Sequence, residues 1–277
     1  MLLGTITAVS VLAALGIGLI AGVGLHWLWL LPVVFLGTFL SLLILAVLIF
    51  MFSCLSINTD KPQEKDSAYF RLLTKLLAPP VLGVLGARVH TKGFDQKLPE
   101  GRFLLVCNHL HEMDPVVLLR HFPKSQLAFI SKQETRKIFL IGPLMHKILC
   151  QFINRENDKE ALKTIINCIK LIKEDKASVA VFPEGYIRPN RKLHRFRGGV
   201  FKIAAKTNVP IVVCTLTNTN NLIKNFKKCK PTHIDLHLVK VIQPEEYEGL
   251  TTVDLAENIY QMMADDLGPD RVSPEGE

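Results

Sequence analysis

Four short stretches of this chain carry side chains that could do chemistry together. The first, Asn108-His109-Leu110-His111-Glu112-Met113-Asp114-Pro115, puts two imidazoles and two carboxylates into one segment. His109 and Asp114 are five residues apart, a spacing that is not one helix face, so they meet only if the chain turns between them. If they meet, an imidazole with an ordinary pKa near about 6.5 can act as a base at neutral pH, with the carboxylate fixing its tautomer. Asp114-Pro115 also reads as a helix start, so a plain N-cap beside a loop histidine is an equally open reading. The second stretch is Phe182-Pro183-Glu184-Gly185, followed by Tyr186, Ile187 and Arg188. The third is Phe152-Ile153-Asn154-Arg155 and the fourth Val209-Pro210-Ile211. Arg155, Arg188 and Lys132 are candidate anion contacts, because guanidinium and ammonium groups suit a phosphate. Arg191, Lys192, Arg195 and Arg197 form a dense basic run that could grip a coenzyme's phosphates, an acidic carrier protein or anionic lipid.

The elements that must position these residues alternate after Gly93. Apolar β-type runs lie at Phe103–Cys107, Leu127–Ile130, Val179–Phe182, Ile211–Leu216 and Ile234–Val241. Helical stretches lie near Val116–Arg120, Glu134–Leu149, Lys159–Lys173, Gly198–Thr207 and Val253–Asp266. In the third of these, Leu162, Ile165, Ile166, Ile169 and Ile172 mark one apolar face, behind an Asn157-Asp158 cap. Near-continuous apolar strands separated by helices predict an α/β domain, a mixed sheet covered by helices on both faces. His109, Glu184 and Lys132 then fall at strand ends, where such sheets usually place their sites.

The charge distribution divides the chain. The whole carries 33 Lys plus Arg against 25 Asp plus Glu, a net +8, yet Met1 to Thr59 contain none of these residues. Leu2 to Leu25 and Trp27 to Leu55 are each long enough, as helices, for a hydrocarbon core of about 30 Å. His26, Trp27 and Trp29 at the turn read as an interfacial belt. A signal peptide does not fit, since there is no positive n-region and a second apolar run follows at once. Lys61, Lys65, Arg71 and Lys75 after the second run place residue 60 onward in the cytoplasm by the positive-inside rule. The expected layout is two membrane helices over 1–58, an interfacial connector over 59–92, an α/β domain over 93–267 and a loose tail over 268–277. Within the connector, Ser67 to Gly86 reads as a helix lying in the interface, broken by Pro79 and Pro80. Six scattered cysteines with no C-x-x-C spacing fit reduced thiols.

Taken in order, the four stretches resemble the glycerolipid acyltransferase family, whose best-known bacterial members acylate lysophosphatidic acid. The first block of that family, Asn-His-x4-Asp, is matched by Asn108, His109 and Asp114. Its arginine-bearing second block is similar to Phe152–Arg155, its third (Phe-Pro-Glu-Gly-Thr-Arg) matches through Gly185, and its fourth resembles Val209-Pro210-Ile211. The family Thr-Arg is replaced by Tyr186-Ile187, and the first arginine, Arg188, comes one place late. The resemblance implies transfer of a fatty acyl group from acyl-CoA or acyl carrier protein to the free hydroxyl of 1-acyl-sn-glycerol-3-phosphate, giving phosphatidic acid. It implies His109 and Asp114 as catalytic, and Asn108, Lys132, Arg155, Glu184, Gly185 and Arg188 as substrate-binding. It implies membrane attachment, membrane lipids and a lysophospholipid as partners, and no permanently bound cofactor.

Other classes fit less well. Another lysolipid or an amino-acid lipid as acceptor is the nearest alternative. A metal-dependent hydrolase would use His109, His111 and Asp114, but Pro115 occupies the next position and no second His-rich block follows. A thioesterase on Cys107 would need a reactive thiol in the middle of an apolar run. Nucleic-acid binding is not expected, because two Trp and four Tyr offer few stacking surfaces.

Overall fold

The computed structural model describes residues 2–20, 30–63 and 65–274. They divide into two compact units, Met1–Asp60 and Lys61–Glu277. The turn with His26, Trp27 and Trp29 lies outside the described residues.

The first unit holds helices α1 (Leu2–Ile20) and α2 (Leu30–Leu55), both long and apolar enough to cross a membrane by length and composition. Three of their polar side chains bond back to a carbonyl one turn earlier. Thr7 Oγ1 donates to Leu3 O, Thr38 Oγ1 to Val34 O and Ser53 Oγ to Ile49 O. Such back-bonding leaves fewer polar groups to water, which matters where water is absent.

The second unit is a seven-stranded sheet in the order β1-β7-β6-β2-β5-β3-β4. Its strands are β1 (Ala87–Lys92), β2 (Leu104–Cys107), β3 (Leu127–Lys132), β4 (Gln151–Ile153), β5 (Ser178–Val181), β6 (Ile211–Thr217) and β7 (Thr232–Ile242). All neighbours are parallel except β6 and β7. The central strands β2, β5 and β6 are buried at every position, as continuous apolar runs require. One face carries Leu104 and Val106 into a core with Ile165, Cys168 and Ile172 of α6 (Asp158–Lys173) and Leu255, Ile259 and Met263 of α10 (Thr252–Leu267). On the other face Phe103 meets Phe122, which follows α4 (Asp114–His121). The mixed, two-sided α/β sheet expected from the sequence is therefore present.

Several local expectations are corrected. Helix α3 (Ala68–Val84) continues through Pro79 and Pro80. Its buried stripe, Phe70, Thr74, Ala78 and Leu82, continues past the prolines, and tertiary packing outweighs the lost donors. Arg71 does not face a membrane surface. It is 7% exposed, pairs with Asp66 at 2.9 Å and donates to Leu127 O and Ile148 O.

Strand β1 lies inside the stretch expected as connector, so the sheet begins before residue 93. It is a half-exposed edge carrying Arg88, His90 and Lys92, which hides its strand character from an apolar count. In α6 the buried face centres on Ile165, Cys168 and Ile172, while Leu162 and Ile166 are exposed. The Glu134–Leu149 stretch splits into a 3-10 turn (Gln133–Lys137) and α5 (Ile141–Lys147), with Leu140 at φ +61 between them. Gly142 permits this close fold: a Cβ there would lie 2.0 Å from Arg136 O. The start of the expected tail is also tied down. Leu193 N donates to Arg271 O and Ser273 N to Leu193 O.

Candidate active site

The chain leaves β2 at Cys107 and turns tightly before α4. Asn108 extends the strand: its Nδ2 donates to Leu216 O at 2.9 Å and its Oδ1 accepts from Leu216 N at 2.7 Å. At 1% exposure, with both ends of the amide committed to β6, it anchors the turn.

The turn brings His109 and Asp114 together. Asp114 Oδ2 lies 2.8 Å from His109 Nδ1 and also accepts from Leu110 N at 2.7 Å and His111 N at 2.8 Å. Asp114 is the first residue of α4, and the cap position is Met113, with no side-chain cap bond. Its carboxylate folds back into the preceding turn, so the plain N-cap reading does not describe it. With the carboxylate as acceptor, Nδ1 carries the proton and Nε2 presents its lone pair. The ring stacks on Phe182, centroids 4.1 Å apart and 15° between planes. Asp114 is fully buried, and the His109 side chain keeps 18% exposure.

Glu184 holds the same turn from behind. Its Oε1 accepts from His109 N at 2.8 Å and its Oε2 from His194 N at 3.1 Å. Burial pushes its pKa up to about 8, against the opposing pull of those two backbone N–H groups. Both oxygens are occupied inside the protein, and Glu184 braces His109. Gly185, at φ +88, makes the turn that follows, and a Cβ there would lie 3.3 Å from Arg197 Nε.

The cations gather on the β5–β3–β4 side of this edge. Arg155 follows β4; its pKa is lowered first by burial and then by the charge of Arg197, with Glu134 acting the other way. Two guanidinium groups that repel each other form a place where an anion is favoured. Arg188 lies 4.1 Å over the Tyr186 ring and acts electrostatically on Glu184. Lys132 ends β3, in register with Ile153 two residues before Arg155, and is exposed. The basic run after the third block does not form one surface. Arg191 donates to Leu110 O, Arg195 pairs with Glu257 and lies over Tyr260, and Arg197 faces Gly185. On the β6 side of the turn a cavity of about 210 Å³ is lined by Asn108, Asn190, Arg191, Asn218 and Arg271 among others.

Sequence spacing named His109, Asp114, Glu184 and Arg155 but passed over Phe182 as a stacking partner and Arg197 as a neighbour of Arg155. Arg197 stood out only as one member of a basic run. The rival nucleophile is removed: Cys107 is fully buried, and burial pushes its thiol well above the ordinary range. His111 Nδ1 accepts from Met113 N, so that ring serves its own loop. Among the described residues no group of three or more His, Cys, Asp or Glu is placed to hold a metal.

An α/β sheet with a His–Asp pair at a central strand end and cationic side chains in the neighbouring loops has the parts that base-assisted chemistry on an anionic substrate requires. A family model described as acyltransferase matches residues 88–217, from β1 to the end of β6. A protein of Mycoplasma genitalium named "Probable 1-acyl-sn-glycerol-3-phosphate acyltransferase" is 27% identical over 247 residues, 85% of this chain and 89% of that one. Its namesake in Mycoplasma pneumoniae is 26% identical over 178 residues, 60% of this chain and 66% of that one. The crystal structure of the 1-acyl-sn-glycerophosphate (LPA) acyltransferase PlsC from Thermotoga maritima shares the fold. Its TM-score is 0.60 at 19% identity, over 79% of this chain and 87% of that chain. The chain is thus similar to acyltransferases over the region that carries its His–Asp pair.

Proposed function

We propose that this chain acylates the free hydroxyl of 1-acyl-sn-glycerol-3-phosphate from a thioester donor, giving phosphatidic acid. The observation that carries the reading is the 2.8 Å contact of His109 Nδ1 with Asp114, which leaves Nε2 as the available base. Nε2 takes the acceptor's hydroxyl proton as that oxygen attacks the thioester carbonyl. The tetrahedral intermediate collapses with loss of the thiolate, which receives the proton from the imidazolium. Asp114 stabilises the imidazolium between the two transfers. Arg155, Arg188, Arg197 and Lys132 attract the acceptor's phosphate, and the relatives' names support a phosphate-bearing acceptor. The donor is acyl-CoA or acyl carrier protein.

The two apolar helices associate with the membrane, where the lysolipid resides. Lys61, Lys65, Arg71 and Lys75 support a cytoplasmic position for the second unit, within reach of a water-soluble donor. The test is the full chain with a labelled acyl donor and a panel of lysolipids. Acylation of lysophosphatidic acid in preference to lysophosphatidylcholine and lysophosphatidylethanolamine is expected. Acylation of acceptors without a phosphomonoester alone, or release of free fatty acid with no acceptor required, would overturn the reading.

A further inference from the structure

We infer that the turn Ile138–Ile141 is an apolar wedge by which the catalytic unit enters an anionic bilayer beside its own site. Ile138 is 49% exposed, Phe139 62% and Ile141 44%, three large apolar side chains within four residues. Scattered apolar residues on a surface are ordinary, but a contiguous exposed patch marks an interaction site. From Ile138 to Met145 there is no ionisable side chain.

The backbone is built to hold this tip outward. Ile141 N donates to Phe139 O at 2.7 Å across Leu140, whose φ of +61 and ψ of −38 belong to the rare, strained form of the γ-turn. Gly142 N donates to Ile138 O at 2.8 Å and Ile138 N to Thr135 O at 3.1 Å. Donors satisfied inside the turn lower the cost of taking it out of water. A leucine held at positive φ is unfavourable in itself, and its effect here is to splay Phe139 and Ile141 into the surroundings.

Charge identifies the occupant. The segment leading to the tip carries the exposed Lys132 and Lys137 against the single acid Glu134, with the guanidinium of Arg136 turned partly into the fold. A basic collar around an apolar point fits lipid with anionic headgroups, each cation favouring binding roughly fivefold near such a surface. Position adds to this. The tip follows β3, and parallel strands β3, β4, β5 and β2 all end at the edge that carries His109. A bilayer touched by the wedge lies at the edge where a lysolipid hydroxyl must reach Nε2, while its acyl chain stays in the lipid. All these residues belong to the second unit, and the contact holds whatever the acceptor.

The test uses the full chain in vesicles with and without phosphatidylglycerol. Cys229, the exposed cysteine among the six, is replaced by Ser, and an environment-sensitive fluorophore is attached at Phe139→Cys. A control label goes at Glu100→Cys, whose side chain is 83% exposed on the loop entering β2, at the opposite edge of the sheet. The label at 139 is expected to be quenched by brominated acyl chains, more strongly with phosphatidylglycerol, while that at 100 is quenched by aqueous iodide. Equal iodide access at both positions would overturn the proposal. So would protection at 139 that grows with the number of protein copies per vesicle, since a second chain would then cover the tip. Independently, Ile138→Asp with Phe139→Asp is expected to raise KM for vesicle-borne lysolipid by roughly tenfold or more, the scale of losing buried apolar side chains. kcat on a short-chain, water-soluble acceptor should not change. An unchanged vesicle KM would count against the wedge. If the unmodified chain transfers no acyl group at all, the proposed reaction fails and the quenching result decides the wedge alone.

Discussion

Among the described residues, two His–Asp pairs share the same local chemistry. In one, His109 Nδ1 meets Asp114 at 2.8 Å; in the other, His237 Nδ1 meets Asp266 at 2.5 Å. The pairs differ in everything around that bond. Asp114 is fully buried and fixed by two further backbone N–H groups, and His109 is clamped by Glu184 behind and Phe182 beneath. Asp266 is 18% exposed on the last turn of α10, and its other oxygen accepts from Thr215 Oγ1. His237 sits in the middle of β7, away from the strand ends and their arginines. A bonded imidazole and carboxylate are thus not a site. A site also needs a fixed ring, an available Nε2 and charge complementary to a substrate.

The sharpest way to break this comparison is to remove the two imidazoles in turn. His109→Ala is expected to lower kcat for acyl transfer by about 10²–10⁴-fold, the usual contribution of a general base. Asp114→Asn comes next. It is expected to lower kcat by about 10²-fold or more, because a neutral amide no longer stabilises the imidazolium and, where its Nδ2 faces the ring, holds the wrong tautomer. The three donors converge on one carboxylate oxygen, which an amide oxygen can replace, so the melting temperature should move far less than kcat. Asp266→Asn, measured in parallel, should leave kcat unchanged. Equal losses in the two aspartate variants would show that the surroundings of the pair do not matter.

The first pair was legible in the sequence because its parts lie within one short turn. Residue type, spacing and the following Pro115 were enough to place a base, a carboxylate and a helix start. What holds the pair was not legible, because those partners are remote in the chain. Glu184 reaches a backbone N–H that lies in a different crossover, and Asn108 is fixed by Leu216 on β6. Local patterns report which face a residue belongs to, not which distant group it meets. The same limit explains β1, whose charged edge pairs with β7 across most of the domain. It explains Arg71 too, which the sequence groups with the basic flank of the second apolar run while its actual partners are two distant carbonyls and Asp66. At Pro79 and Pro80 the local rule was overruled by packing along the whole helix.

A smaller effect sharpens the contrast between a brace and a bystander. The Glu184 carboxyl ionises near 4.5 in the unfolded chain and near about 8 in the folded one. Between those values the unfolded chain releases the proton while the native protein keeps it, so this group makes stability fall as pH rises. Below about 4.5 both states are protonated, and above about 8 both are ionised, so the contribution is then constant. Glu184→Gln cannot titrate. The difference in melting temperature between the two proteins should therefore move in the variant's favour as pH rises through this window. A pH-independent difference would mean that the native carboxyl ionises normally. The variant also gives up one of its two backbone partners, so kcat should fall while the KM for the acceptor stays close to its original value, as suits a residue that positions His109.

The smallest expected effect tests the second pair on its own ground. His237→Ala removes a partly exposed ring whose bond to Asp266 is worth about 0.2–1 kcal/mol by the usual scale of such pairs. Asp266 keeps the Thr215 hydroxyl, itself 2% exposed, so no buried group loses its last partner. A change of less than about 4 °C in melting temperature is expected, with kcat and KM unaltered. If turnover collapsed instead, a ring in mid-strand and away from the arginines would be taking part in the reaction. The features that set His109 apart, its braces, its place at the strand end and its cationic neighbours, would then no longer be what makes a His–Asp pair reactive.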